Sequence, residues 1–232
     1  MDNFISTLAL LGLSLLTPAD QATVAGVLNV APEEFKSEEK VLAQKTLDLS
    51  TRHPVKSVNE VFADNILLNL HYLKGDSEEL KDKNGKIDWE KVRAPFEFTM
   101  TLKPEQTFAY HKNLHSEFKD KDVIAGKSGF GFSDGYKSDG YLVGDGVCHL
   151  ASLFNWVASE AGLTVKSMVN HDFLPVPEVP REYGTSVFYS PDGSRNSANQ
   201  NLYITNTFPY PVTFEISSDG KWVEIQVVTE TE

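Results

Sequence analysis

The 232-residue chain holds one cysteine, three methionines and three tryptophans, and no lysine- or arginine-rich cluster interrupts its acidity. A lone cysteine excludes an intramolecular disulfide and any cysteine-based structural zinc site. Basic residues number 21 against 33 acidic ones, a net charge of −12. Phosphate backbones need a basic surface, so a nucleic-acid partner is excluded, and adsorption to anionic lipid is disfavoured for the same reason. The mostly apolar run Phe4–Leu16 covers 13 residues, too few to cross a bilayer, so no stable membrane span is expected. Internal repeats and low-complexity tracts are absent. No pattern calls for a metal or a cofactor. Asp82 to Asp88 imitates the middle of a calcium loop, but Leu80 and Lys91 stand where its first and last ligands belong.

Hydrophobic residues make up 41% of the chain and charged residues 23%, enough for a sizeable globular core. Residues 1–19 read as an export leader, with Thr17-Pro18-Ala19 near a cleavage point. The signal is atypical, because Asp2 is present and no basic residue precedes the apolar run; a buried or amphipathic helix is the alternative. An extracytoplasmic location is expected on that reading. Residues 20–45 form a weakly structured lead-in, 46–95 an N-terminal helical region, and 96–228 the principal domain.

Ser57 and Glu60 have capping-box spacing, and Val58, Val61, Phe62, Ile66 and Leu70 keep helical period up to Lys74-Gly75. Residues 76–93 form a solvated connection with one helical turn around Trp89. Alternation of Phe96, Phe98, Met100 and Leu102 predicts a half-buried strand. Further strands are expected at 164–170, 185–189 and 202–205. Val212, Phe214 and Ile216 should pair with Val223, Ile225 and Val227 across the Ser218-Asp219-Gly220 turn. The fold class is α+β, an antiparallel sheet packed on helices.

Between Gly126 and Gly146 lie seven glycines, interleaved with Phe130, Phe132, Tyr136 and Tyr141. Such a shaped loop beside rigid elements is a place for a site. It leads into Cys148, which opens a helix whose apolar stripe is Leu150, Leu153, Phe154, Val157 and Ala161. Cys148 falls instead with Ser152, Asn155 and Ser159, away from the stripe. A helix N-terminus stabilises a thiolate. The N–H groups of Gly144, Asp145, Gly146 and His149 are candidate substrate or oxyanion contacts. A nucleophilic thiol needs a base and the base an orienter. His171, before a proline-rich loop, is the first candidate for base and His111 the second. His149 is adjacent to the thiol but points about 100° away on a helix. Asn201 is the candidate orienter.

Gly144-Asp145-Gly146-Val147-Cys148, Leu153-Phe154-Asn155 and Ala161-Gly162-Leu163 resemble the VanW domain, in which a Gly-Gly-Gly-Val-Cys-Gln segment precedes a Leu-Tyr-Asn helix ending Ala-Gly-Leu. His171 with Pro175-Val176 and Val179-Pro180, Leu102 to Tyr110, and Asn201 to Pro211 are similar to other segments of that domain, in the same order. The resemblance covers about residues 96–228. It implies an L,D-transpeptidase-like cysteine acyltransferase of the cell envelope: Cys148 attacks the carbonyl of a peptidoglycan stem peptide, and His171 moves the proton. The cysteine–helix–histidine order is similar to transglutaminase-like and papain-like folds by analogy alone. The chain departs from the family pattern at four places. Asp145 replaces a glycine and adds charge that raises the thiol pKa; His149 replaces glutamine; Tyr110-His111 replaces Phe-Asn; and Gly184 stands where an aspartate belongs. These departures allow altered substrate choice or lost activity. The alternatives are therefore a non-catalytic envelope protein binding peptidoglycan or another peptide, or a cysteine peptidase or amidase.

Overall fold

The computed structural model describes residues 39–230. The expected leader over 1–19 and the lead-in up to residue 38 lie outside them. In chain order the strands and helices are β1 (Glu39–Asp48), α1 (Lys56–Lys74), α2 (Trp89–Val92), β2 (Phe96–Leu102), β3 (Thr107–Ala109) and β4 (Val123–Ala125). They continue with α3 (Val147–Glu160), β5 (Thr164–Ser167), α4 (Arg195–Asn199), β6 (Leu202–Thr205), β7 (Val212–Ser218) and β8 (Trp222–Glu230). The strands form two four-stranded sheets, ordered β1-β8-β7-β2 and β4-β3-β6-β5. All pairs are antiparallel except β3 with β4, which is parallel. Among the described residues no helix is long and apolar enough to cross a membrane.

The expected hairpin forms in register, with Ile216 opposite Ile225 and Phe214 opposite Val227. Its inward residues are buried because the side-chain period of two puts every second residue on one face. The turn requires glycine: Gly220 has φ 84°, and a Cβ there would lie 2.4 Å from the Arg93 carbonyl oxygen. Asp219 Oδ1 accepts from the N–H groups of Lys221 and Trp222, which closes the turn.

Three local expectations are corrected. Residues 39–45, read as part of a weakly structured lead-in, belong to β1, which pairs with β8 from Glu39↔Glu230 to Asp48↔Trp222. The register shifts between Val41 and Ala43; such a bulge breaks the apolar alternation by which a strand is recognised. Helix α1 starts two residues earlier than the Ser57 box implies, with Val55 as an N-cap that makes no side-chain bond. Asn59 organises the entry instead, accepting from His53 N–H at 3.0 Å and donating to the Leu49 carbonyl at 2.9 Å. Segment 185–189 is no ladder strand: it makes isolated main-chain bonds, Ser186 N–H to Val169 O and Phe188 N–H to Gln200 O, both 2.9 Å.

Helix α3 packs on β1 and β8 of the first sheet and on β5 and β6 of the second. Phe154, fully buried, joins them: its ring lies 6.1 Å from Phe214 of β7, 5.7 Å from Phe108 of β3 and 6.3 Å from Tyr110. Leu47, Ile66 and Leu70 complete the same core. Truncating a ring at this junction removes buried area and leaves a cavity. Phe154→Ala is expected to cost about 3–5 kcal/mol, read as a lower urea midpoint with an unchanged slope.

Candidate functional site

The glycine-rich loop and the start of α3 are positioned by two asparagines of α1, both buried. Asn65 donates to the carbonyls of Lys137 (3.1 Å) and Asp145 (2.9 Å) and accepts from the Lys137 N–H at 2.8 Å. Asn69, on the same helix face, donates to Tyr110 Oη at 2.5 Å, and that hydroxyl donates to the Val147 carbonyl at 3.0 Å. The approach is close enough to exclude side chains. A Cβ on Gly146 would lie 2.5 Å from the Phe62 carbonyl oxygen, and one on Gly144 would lie 2.7 Å from that of Phe130. Both glycines also have positive φ, 98° and 84°. Cys148 is thus the second residue of α3, as the glycine lead-in implied.

The polar side of α3 is as expected, but it is covered. Ser152 Oγ accepts from the Thr185 N–H at 2.9 Å, and Asn155 donates to the Tyr183 carbonyl at 3.0 Å and to Thr185 Oγ1 at 3.1 Å. Cys148 continues this seam. The residue is half-buried, and Sγ accepts from the Val187 N–H at 3.4 Å and donates to the Val187 carbonyl at 3.6 Å. Burial pushes the thiol pKa up to about 11; the Val187 N–H pulls it down and the Asp145 charge adds to the rise. Asp145 is itself held up near 6, chiefly by burial. The loop's donors are partly spent as well, since the N–H of Val147 goes to Gly144 O and that of His149 to Gly146 O.

Among the described residues no imidazole is hydrogen-bonded to the sulfur. His171 is buried and its Nδ1–H donates to the Leu174 carbonyl at 2.9 Å. Its ring neighbours are Phe173 at 4.4 Å and His149 at 6.0 Å. Both hydrogen-bond partners of the Cys148 thiol are Val187 main-chain atoms, so the structure does not pair it with His171. His149 is buried against Phe62, with ring centroids 5.0 Å apart, and its Nδ1 has no partner. Burial, with Arg52, His171 and His53 nearby, lowers its pKa to about 3. Asn201 is committed to the segment after β3: Oδ1 accepts from the N–H groups of His111 and Leu202, and Nδ2 donates to the carbonyls of His111 and Asn113. It makes no bond to His171. The second candidate base, His111, accepts at Nδ1 from Asn113 N–H and donates from Nε2 to Gln200 O, and burial lowers its pKa to about 4. At position 184 a side chain would have to displace Asn170, because a Cβ would lie 2.8 Å from Asn170 Oδ1 and 3.2 Å from the Arg181 carbonyl oxygen.

Beside the Cys148–Val187 contact lies an open groove of about 500 Å³. Val147 and Val187 line it together with Phe130, Tyr189, Lys112 and Lys127. The glycine loop and its aromatic residues announced this feature, but the two lysines did not stand out in the sequence. Tyr141 (92% exposed), Phe132 and Leu142 leave large apolar surfaces on the same loop; clustered exposure of this kind marks interaction sites.

The family described as VanW like protein matches residues 98–228, more than half of the chain. No curated protein and no solved structure matches it.

Alkylation of Cys148 is expected to accelerate with pH and still be rising at pH 10; a plateau near neutrality would overturn the covered-thiol geometry. Asp145→Asn should lower the thiol's apparent pKa. The same substitution tests stability. A carboxyl bound as the acid up to about pH 6 when folded, but ionising near 3.8 when unfolded, weakens the fold as pH rises between those values. Asp145→Asn should therefore match the parent near pH 3.5 and become the more stable protein by pH 7, measured by urea denaturation.

Proposed function

The chain belongs to the VanW-like family, a family associated with vancomycin resistance, and from that premise we propose that it is a non-catalytic envelope member. Its ligand is a peptidoglycan stem peptide, or a peptide of similar chemistry, held in the groove between the glycine-rich loop and segment 187–189. The carrying observation is the state of the thiol. Sγ is bonded to both main-chain atoms of Val187, with a pKa near 11. At pH 7 such a thiol is ionised in about one molecule in ten thousand, and only the thiolate is a nucleophile. Among the described residues its hydrogen bonds go to Val187 main chain and none goes to an imidazole that could act as base.

The groove offers what binding requires. Its volume, about 500 Å³, suits a few residues of peptide. Phe188 and Tyr189 supply apolar faces, and Lys112, Lys127 and Ser133 line the same groove. A stem-peptide ligand and the apolar leader-like run at Phe4–Leu16 together favour a location outside the cytoplasm.

A second reading keeps Cys148 as the nucleophile of an acyltransferase, peptidase or amidase, with His171 as base. One observation favours it: with Nδ1–H given to the Leu174 carbonyl, His171 keeps Nε2 free to accept a proton. Catalysis would then require the sulfur to leave Val187 and turn towards that ring.

Calorimetric titration with a synthetic stem peptide separates the two. Binding should survive Cys148→Ala within about twofold and weaken about tenfold in Tyr189→Ala, the loss of one aromatic contact. Release of D-alanine or formation of cross-links from muropeptides, abolished by Cys148→Ala and seen by mass spectrometry, would establish the enzyme instead.

A further inference from the structure

We infer that the groove selects peptides with a free carboxylate, and that Lys112 and Lys127 read that group. The inference rests on the peptide-binding reading and names the feature of the ligand that the site distinguishes.

The parallel pairing of β3 and β4 carries both lysines to the one groove. Thr107 is opposite Val123 and Ala109 opposite Ala125, so the chain leaves both strands at the same end. Lys112 lies three residues beyond β3 and Lys127 two beyond β4, and both line the groove. Gly126 permits the approach: its N–H donates to the Ala109 carbonyl at 2.9 Å, and a Cβ there would lie 2.2 Å from the Tyr110 carbonyl oxygen.

The charge balance of the groove is opposite to that of the chain. The chain carries −12, whereas the groove holds two lysines and one carboxylate, Asp134. Asp134 Oδ2 already accepts from the Gly129 N–H at 2.6 Å. Among the described residues neither lysine has a carboxylate partner. Lys112 Nζ lies 5.4 Å from the centroid of the Tyr189 ring, where it borders the apolar wall of the groove. By contrast, the groove across β2, β7 and β8 is lined by Glu97, Glu215 and Glu224 and has no cation. A single negative charge attached to an apolar-walled peptide matches the net positive charge of the first groove, and a free carboxylate is the peptide group that carries it. Ammonium donors gain most from an ionised acceptor.

The test compares one stem peptide as the free acid and as the C-terminal amide, titrated calorimetrically into the full chain at low and high salt. The acid should bind about tenfold more tightly than the amide at low salt, the effect of one charge-assisted contact, with the gap narrowing as salt screens it. Lys112→Met with Lys127→Met should remove the difference between acid and amide; both side chains are exposed, so folding is not at stake. Equal binding of acid and amide would overturn this inference and leave the peptide reading standing. Failure of both to bind would remove the peptide reading itself. Competition by inorganic phosphate as strong as that of the free-acid peptide would assign the lysines to a free anion and also overturn the inference.

Discussion

Two amides on one helix face hold the rest of the molecule in place. Asn65 and Asn69 of α1 reach the glycine-rich loop at Lys137 and Asp145 and, through Tyr110, the first carbonyl of α3. These bonds are made in a dry interior, where an unmatched amide costs about 1–3 kcal/mol. The alternatives to this loop path are therefore penalised. Once the start of α3 is pinned, Phe154 falls between Phe108 and Phe214, and the two sheets share one core. The glycines at 144 and 146 follow from the same closeness, since any side chain there would meet main chain.

The same placement decides the chemistry of Cys148. A helix N-terminus favours a thiolate by roughly 0.3–1 kcal/mol, while one pKa unit requires about 1.4 kcal/mol. Burial and the Asp145 carboxylate act in the opposite direction and win, leaving the pKa near 11. The main chain of Val187 occupies both the donor and the acceptor of the thiol. What remains open is the groove next to this contact, with its apolar wall and its two lysines.

Buried imidazoles mark the other side of the helix start. Burial, with Arg52 and His171 close by, depresses the pKa of His149, which therefore stays neutral. Arg52 is anchored by the carbonyls of Asp48 and Pro177 and by Glu178. Through Arg52 the end of β1 is tied to the proline-rich segment, and His171 packs beside His149 and Phe173.

Much was legible in the order of residues. Alternation at Val212–Ile216 and Val223–Val227 marked a hairpin, period 3.6 marked α1 and α3, and the motif order around Cys148 marked the family. These features are local, so short-range periodicity and turn chemistry suffice to determine them. The bulge in β1, the cover over the polar side of α3, the pairing of Cys148 with Val187, and the presence of Lys112 and Lys127 in one groove depended on the tertiary structure. Periodicity says which side of a helix is polar, but what lies against that side comes from residues distant in the chain. Only their packing decided that main chain, rather than an imidazole, faces the sulfur.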